Sequence, residues 1–174
     1  MKINTSIKIL EDHDLLTNEG FALDLGCGMA NDSSVLRERG YDVTSVDIRP
    51  LNIPNFIQAD ITDFGIEKGK YSLIIANYVL PFLANKQIVN NLIKRMVDGL
   101  APKGILHFVL FGEKDEWNGS KESGVRNDIL FHSPSEIDNL GLDFTSKTEF
   151  KGIGSTKAGT AKFWHTYTFI FQKK

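Results

Sequence analysis

The chain's fold is constrained most tightly by one stretch, Ala22-Leu23-Asp24-Leu25-Gly26-Cys27-Gly28-Met29-Ala30-Asn31-Asp32-Ser33, which reads as a buried strand, a glycine turn and a helix start. Phe21 to Leu25 is apolar apart from Asp24. Gly26 and Gly28 permit a tight turn and close approach of the backbone to a ligand. A helical segment, Ser33 to Arg39, follows and stops at Gly40, with Arg37 and Arg39 where the helix dipole favours cations. A second acid, Asp47, ends the next strand, Tyr41 to Val46, 23 residues after Asp24. Nucleotide-binding folds read ribose hydroxyls from that place.

The spacing separates two cofactor classes. A dinucleotide fingerprint carries Gly or Ala at a third position so that the pyrophosphate rests on the helix N-terminus. Here that position is Asn31, followed by the anionic Asp32, which disfavours NAD. Asp24, two residues before Gly26, suits a ligand with a cationic end.

With Asp24, Gly26, Gly28 and Ala30 in this register, the chain resembles the class I S-adenosylmethionine (SAM)-dependent methyltransferases. Val43 to Ile48 is similar to the family's second strand with its ribose-binding acid, Asp47. Phe56 to Ile61 resembles the third strand, with Asp60 facing the adenine amino group, and Tyr71 to Tyr78 resembles the fourth, whose end meets the cofactor. The helix Lys86 to Leu100 and the strand Gly104 to Phe111 complete the order. The resemblance implies an α/β, Rossmann-like, doubly wound, mostly parallel sheet with antiparallel C-terminal strands. It implies SAM as cofactor, touching Asp24, Gly26, Cys27, Gly28, Asp47, Ile48, Asp60, Ile61 and Asn77. Asn77-Tyr78-Val79-Leu80 lacks the paired prolines of DNA amino-methyltransferases, and the stretch through Leu83 is similar to small tellurite-resistance and thiopurine-type enzymes. A small-molecule acceptor and no nucleic acid are the expected partners.

Composition agrees. At 174 residues the chain is expected to form a single domain, residues 1–174. A net charge of −2 supplies no basic field for phosphate backbones. One cysteine excludes an internal disulfide, and no run reaches 18 apolar residues, so a cytoplasmic protein without membrane contact is expected. Ile88, Val89, Leu92, Ile93, Met96, Val97 and Leu100 form a helical core stripe. Ser133-Pro134-Ser135-Glu136 opens a short helix, and Phe163 to Phe171 alternates as a strand that pairs with Asp143 to Phe150.

Only eight residues, Asp47 to Pro54, join the second and third strands, and two are prolines, which predicts a shortened connection without a regular helix. For the acceptor, the candidates are Tyr78, Trp117 in a lid-like loop over Glu113 to Asn127, and His132 and His165 near element ends. His107 reads as a core histidine and His13 as a surface position on the first helix. No histidine or cysteine pair has metal-ligand spacing, so no metal is expected. Two further readings stay open: a SAM-binding protein without turnover, and a nucleotide-binding oxidoreductase.

Overall fold

A computed structural model describes residues 5–119, 128–156 and 158–174. Helix α1 (Thr5–Asp12) precedes β1 (Phe21–Leu25), α2 (Asn31–Glu38), β2 (Asp42–Asp47), β3 (Phe56–Gln58) and β4 (Tyr71–Ala76). A 3-10 turn (Leu80–Phe82), α3 (Lys86–Gly99), β5 (Leu100–Gly112), β6 (Phe131–His132), α4 (Pro134–Asp138), β7 (Ser146–Ser155) and β8 (Ala161–Gln172) follow. The sheet runs β3-β2-β1-β4-β5-β8-β7, with β6 beside the end of β5. All pairings are parallel except β5–β8 and β7–β8.

Strand order reverses between β1 and β4, so the loops leaving these two strands diverge and open a crevice at their carboxyl ends. Two apolar layers cover the faces of the sheet. Val89, Leu92, Ile93 and Met96 of α3 pack with Ile137 of α4 on one face, against Leu23, Ile74, Leu106 and Phe108. Ile7 and Leu10 of α1 pack with Val35 and Leu36 of α2 on the other, against Ala22, Val43, Leu73 and Ile75. Burying each of these side chains other than Ala22 contributes about 1.5–3 kcal/mol, and strands covered on both faces accordingly read as continuous apolar runs.

The short β2–β3 connection is irregular, as its prolines dictate, and Arg37 of α2 secures it by donating to Pro54 O at 2.8 Å. The segment between β3 and β4 is held by Arg95 of α3, which donates to Thr62 O at 2.7 Å and to Phe64 O. The capping box at Ser133 and Glu136 is present and starts α4.

Several boundaries differ from the sequence reading. Helix α1 ends at Asp12, so His13 lies beyond it, with its ring nitrogen 2.8 Å from Ile9 O. Strand β3 stops at Gln58, because Asp60 closes a turn by accepting from Thr62 N and Thr62 Oγ1, each at 2.8 Å. Strand β7 starts at Ser146 and reaches Ser155, beyond the expected Phe150, since β8 begins early enough to pair it throughout. Residues 120–127 of the lid-like loop lie outside the described residues.

Candidate functional site

The loop after β1 is shaped by three left-handed residues, Gly26 (φ 70°), Gly28 (φ 57°) and Ala30 (φ 58°). A Cβ on Gly26 would lie 2.3 Å from Val79 Cγ2, so the glycine lets this loop close against the turn after β4. Gly26 N and Cys27 N both donate to Val46 O, at 2.8 and 3.0 Å, which ties the loop to β2. Cys27 is half-buried, and burial beside Asp24 and Asp47 pushes its thiol up to about 12. It is an inert filler of the turn.

Asp47 faces this loop from the end of β2. Its Oδ2 accepts from Gly28 N at 2.8 Å, and its Oδ1 accepts from Arg49 N at 3.0 Å. Burial works against its charge, but the backbone donors of Arg49 and Gly28 and the Arg49 side chain outweigh it and hold the carboxyl below its ordinary range. Ile48 and Met29, the residues beside this bond, are both exposed.

Asp24 is held through one of its two carboxylate oxygens. It is buried in β1 and accepts from Ser33 Oγ at 2.6 Å, and Ser33 in turn lies 2.7 Å from Ser45 Oγ, which accepts from Arg37 at 2.8 Å. Burial pushes Asp24 up to about 7, against the pull of the Ser33 hydroxyl. Asp60 is exposed in its turn, and the Ile61 side chain belongs to the core.

At the end of β4, Asn77 Nδ2 donates to Asp32 Oδ2 at 2.7 Å. Tyr78 follows with φ 54°, an unusual conformation for a bulky residue. Its ring, with the phenol pushed up by burial, borders a cavity of about 730 Å3. Phe82, Phe111, Trp117, Phe150 and Trp164 supply the other aromatic walls. Phe111 and Trp164 have ring centroids 5.7 Å apart, and Trp117 and Trp164 5.4 Å.

Lys162 reaches this wall from β8 and is buried with Asp115 in an ion pair. Its ammonium lies 4.2 Å from the Trp117 ring centroid and 4.1 Å from that of Trp164, within cation–π range of both. Burial lowers the Lys162 pKa, partly offset by Asp115. Asp115 also accepts from Trp117 N and His165 N, each at 3.1 Å. Gly152 and Gly154 pair with Trp164 and Lys162 across the β7–β8 ladder. A Cβ on Gly154 would sit 3.0 Å from the Trp164 ring, so a larger residue would press on this wall.

Of the four candidates for the acceptor, Tyr78 and Trp117 line one cavity. His132 and His165 do not. His165 points to the other face of β8, because neighbouring residues of a strand alternate, and its ring packs against Gly112. Its Nδ1 accepts from Lys114 N at 3.0 Å, so its proton is on Nε2, 2.8 Å from Glu149 Oε1. His132 is buried outside the cavity, with its ring nitrogens unpaired among the described residues and burial lowering its pKa. Sequence reasoning missed Phe111, Lys162, Trp164, Gly152 and Gly154. The signal was the alternation Lys162-x-Trp164-x-Thr166, which puts these three on one face. Among the described residues no group of three or more His, Cys, Asp or Glu is arranged to hold a metal ion.

Residues 14–149 match the family model described as a methyltransferase domain. The chain belongs to that family. It is a class I SAM-dependent methyltransferase domain, which decides against the oxidoreductase. Among solved structures, a SAM-dependent methyltransferase from Methanosarcina mazei aligns with a TM-score of 0.70 at 18% identity, covering 94% of this chain and 96% of that one. TehB from Haemophilus influenzae aligns with a TM-score of 0.73 at 21% identity, covering 99% of this chain and 63% of that one. The N-methyltransferase NodS from Bradyrhizobium japonicum, in complex with S-adenosylhomocysteine, gives 0.63 at 18%, covering 98% and 93%. These likenesses show the fold. No curated protein sequence matches the chain. No helix among the described residues is long and apolar enough to cross a membrane.

Proposed function

We propose that this methyltransferase transfers the methyl group of SAM to a small, planar aromatic acceptor held in the cavity behind Tyr78. One observation carries the reading. Six aromatic residues line a cavity of about 730 Å3, a size suited to small organic ligands, and its wall begins at the residue after Asn77. Lys162 is neutralised by Asp115, so stacking and shape govern what enters.

The crevice residues fit the cofactor. Asp47 accepts donors at the end of β2, where ribose hydroxyls are read, and has lone pairs to spare beyond Gly28 and Arg49. Ile48 and Met29 offer exposed apolar surface to the adenine, and Asp60 lies in the turn after the next strand. When bound, SAM supplies an electrophilic methyl on a sulfonium, transferred by in-line displacement. The protein then acts mainly by placement: Gly26 lets the two loops meet, Tyr78 separates cofactor crevice from acceptor cavity, and Trp117 and Trp164 hold the acceptor plane.

Methyl-tritiated SAM offered with flat phenols, thiols and heteroaromatic amines, alongside aliphatic amines and duplex DNA, tests this. Label is expected in an aromatic acceptor, and Trp164→Ala is expected to raise its KM roughly tenfold, the scale of a lost stacking contact. Label confined to aliphatic amines or DNA, or an unchanged KM, would refute it.

A further inference from the structure

The ladder between β5 and β8 ends at Phe111 and Thr166, yet the chain leaving β5 stays against β8 for several more residues. Side chains carry the pairing on. Asp115 Oδ2 accepts from His165 N at 3.1 Å, Glu116 Oε2 accepts from Phe163 N at 2.6 Å, and Glu116 N donates to Phe163 O at 3.1 Å. His165 grips this segment twice, since its ring Nδ1 also accepts from Lys114 N at 3.0 Å. Two residues beyond Asp115 stands Trp117, whose N–H is tied back to Asp115 Oδ1 at 3.1 Å.

Two contacts aim the His165 ring. Gly112 gives it room: a Cβ there would lie 2.3 Å from His165 Cε1 and Nδ1, so the imidazole rests on bare backbone where β5 ends. Glu149 sets the proton, because its Oε1, 2.8 Å from Nε2, takes that N–H and leaves Nδ1 as the acceptor that Lys114 N requires. Tyr167 and Lys151 hold the same carboxylate oxygen, at 3.0 and 2.7 Å. A chain of bonds thus runs from the edge strand β7 through His165 to the loop that carries Trp117, on the face of the sheet away from the cavity.

We propose that His165 is a positioning residue for the acceptor: its imidazole fixes the Lys114–Asp115 backbone and, through it, the Trp117 ring that walls the cavity on the opposite face. A loop has no ladder of its own to hold a side chain at a set angle, and an aromatic wall that tilts loses its stacking on a planar ligand. Trp117 stands with its ring centroid 5.4 Å from that of Trp164 and 6.2 Å from that of Phe111. Holding these rings in place before the acceptor arrives lowers the ordering cost of binding. Asp115 grips the same loop, but its loss also strands the Lys162 ammonium. At His165 the positioning of Trp117 is separable from that charge.

The inference rests on the aromatic cavity as the acceptor site, and two amide substitutions test it. His165→Asn puts a carbonyl oxygen where Nδ1 stands and keeps the Lys114 bond; His165→Gln puts an amide nitrogen where Nε2 stands and keeps only the Glu149 bond. In a Trp164→Phe background Trp117 is the sole tryptophan, and acrylamide quenching reads its exposure with no acceptor present. His165→Gln is expected to increase quenching and shift the emission to the red, and His165→Asn to do neither. With Trp164 restored and the aromatic acceptor that takes the tritiated methyl group, His165→Gln is expected to raise KM about tenfold at unchanged kcat and S-adenosylhomocysteine affinity, and His165→Asn to recover the KM. Glu149→Ala, which frees the ring proton to move to Nδ1, gives the same pattern with smaller factors and serves if His165→Gln fails to melt cooperatively. Equal behaviour of the two amides, or a KM unmoved by His165→Gln while Trp164→Ala raises it, would overturn the role and leave the cavity reading in place. A KM unmoved by Trp164→Ala as well would overturn the cavity reading and this one with it.

Discussion

Asp47 Oδ2 accepts the Gly28 backbone N–H at 2.8 Å, so the acid that ends β2 also fixes the second glycine of the β1 loop. One side chain thereby sets the distance between the two strand ends that flank the ribose position. Removing it loosens the loop and, on the proposed placement of the cofactor, loses a ribose contact. Asp47→Ala is expected to weaken S-adenosylhomocysteine by about 1.5–3 kcal/mol, the range for hydrogen bonds to a charged group. Titration calorimetry checks this, and an unchanged dissociation constant would put the ribose elsewhere.

Gly26 is under two constraints that a double mutant separates. Its φ of 70° strains any L side chain, and a Cβ there meets Val79 Cγ2. Gly26→Ala is expected to destabilise by roughly 2–4 kcal/mol, with strain and overpacking both contributing. Adding Val79→Ala removes the clash and leaves the strain. Chemical denaturation should show the double variant less destabilised than the sum of the two single changes; simple additivity would mean that the loops do not press on each other.

Asp24 and His107 set opposing pH dependences. Burial raises Asp24 to about 7 in the fold, so stability is highest with it protonated and declines as pH climbs from about 4 through 7. Burial lowers His107 to about 4, so its contribution is intact above about 6.5 and declines as pH drops toward 4. Each limb is of order 3–4 kcal/mol and they offset one another. His107→Leu should unmask the fall toward high pH, and Asp24→Asn the fall toward low pH, to which His132 adds. Urea denaturation at pH 5 and pH 8 reads both slopes, and a variant with no slope would contradict the cause assigned to its partner.

The buried Lys162–Asp115 pair makes the cavity wall sensitive to losing one charge. Lys162→Met strands the Asp115 carboxylate and is expected to cost about 3–5 kcal/mol. Lys162→Met with Asp115→Asn should recover part of that, since no charge is left stranded and the amide oxygen still accepts from one of the two backbone donors, Trp117 N on Oδ1 or His165 N on Oδ2. Melting temperatures decide it: a double variant no more stable than Lys162→Met would show that the charge pairing is not what holds this wall.

Much of this was legible along the chain because the signals are local. Gly26 and Gly28 announce a turn, Ser133 and Glu136 a cap, and Pro50 and Pro54 forbid a helix between β2 and β3. The histidines misled because sequence cannot say which face of β8 is buried against what. His165 and Trp164 are neighbours in the chain, yet they point to opposite faces, and register with β5 and β7 alone sends Trp164 into the cavity. The bond from Ser33 to Asp24 was illegible for a related reason, since the two lie nine residues apart and meet only when α2 folds back onto β1.

The chain holds two tryptophans, Trp117 and Trp164, and both line the aromatic cavity proposed to take the acceptor. Tryptophan emission therefore reports this cavity directly. Protein saturated with S-adenosylhomocysteine and titrated with an acceptor that takes the tritiated methyl group should show a saturable change in emission, lost in Trp117→Phe with Trp164→Phe. An acceptor that is methylated while the emission stays constant would place the reaction outside the aromatic cavity and contradict the account.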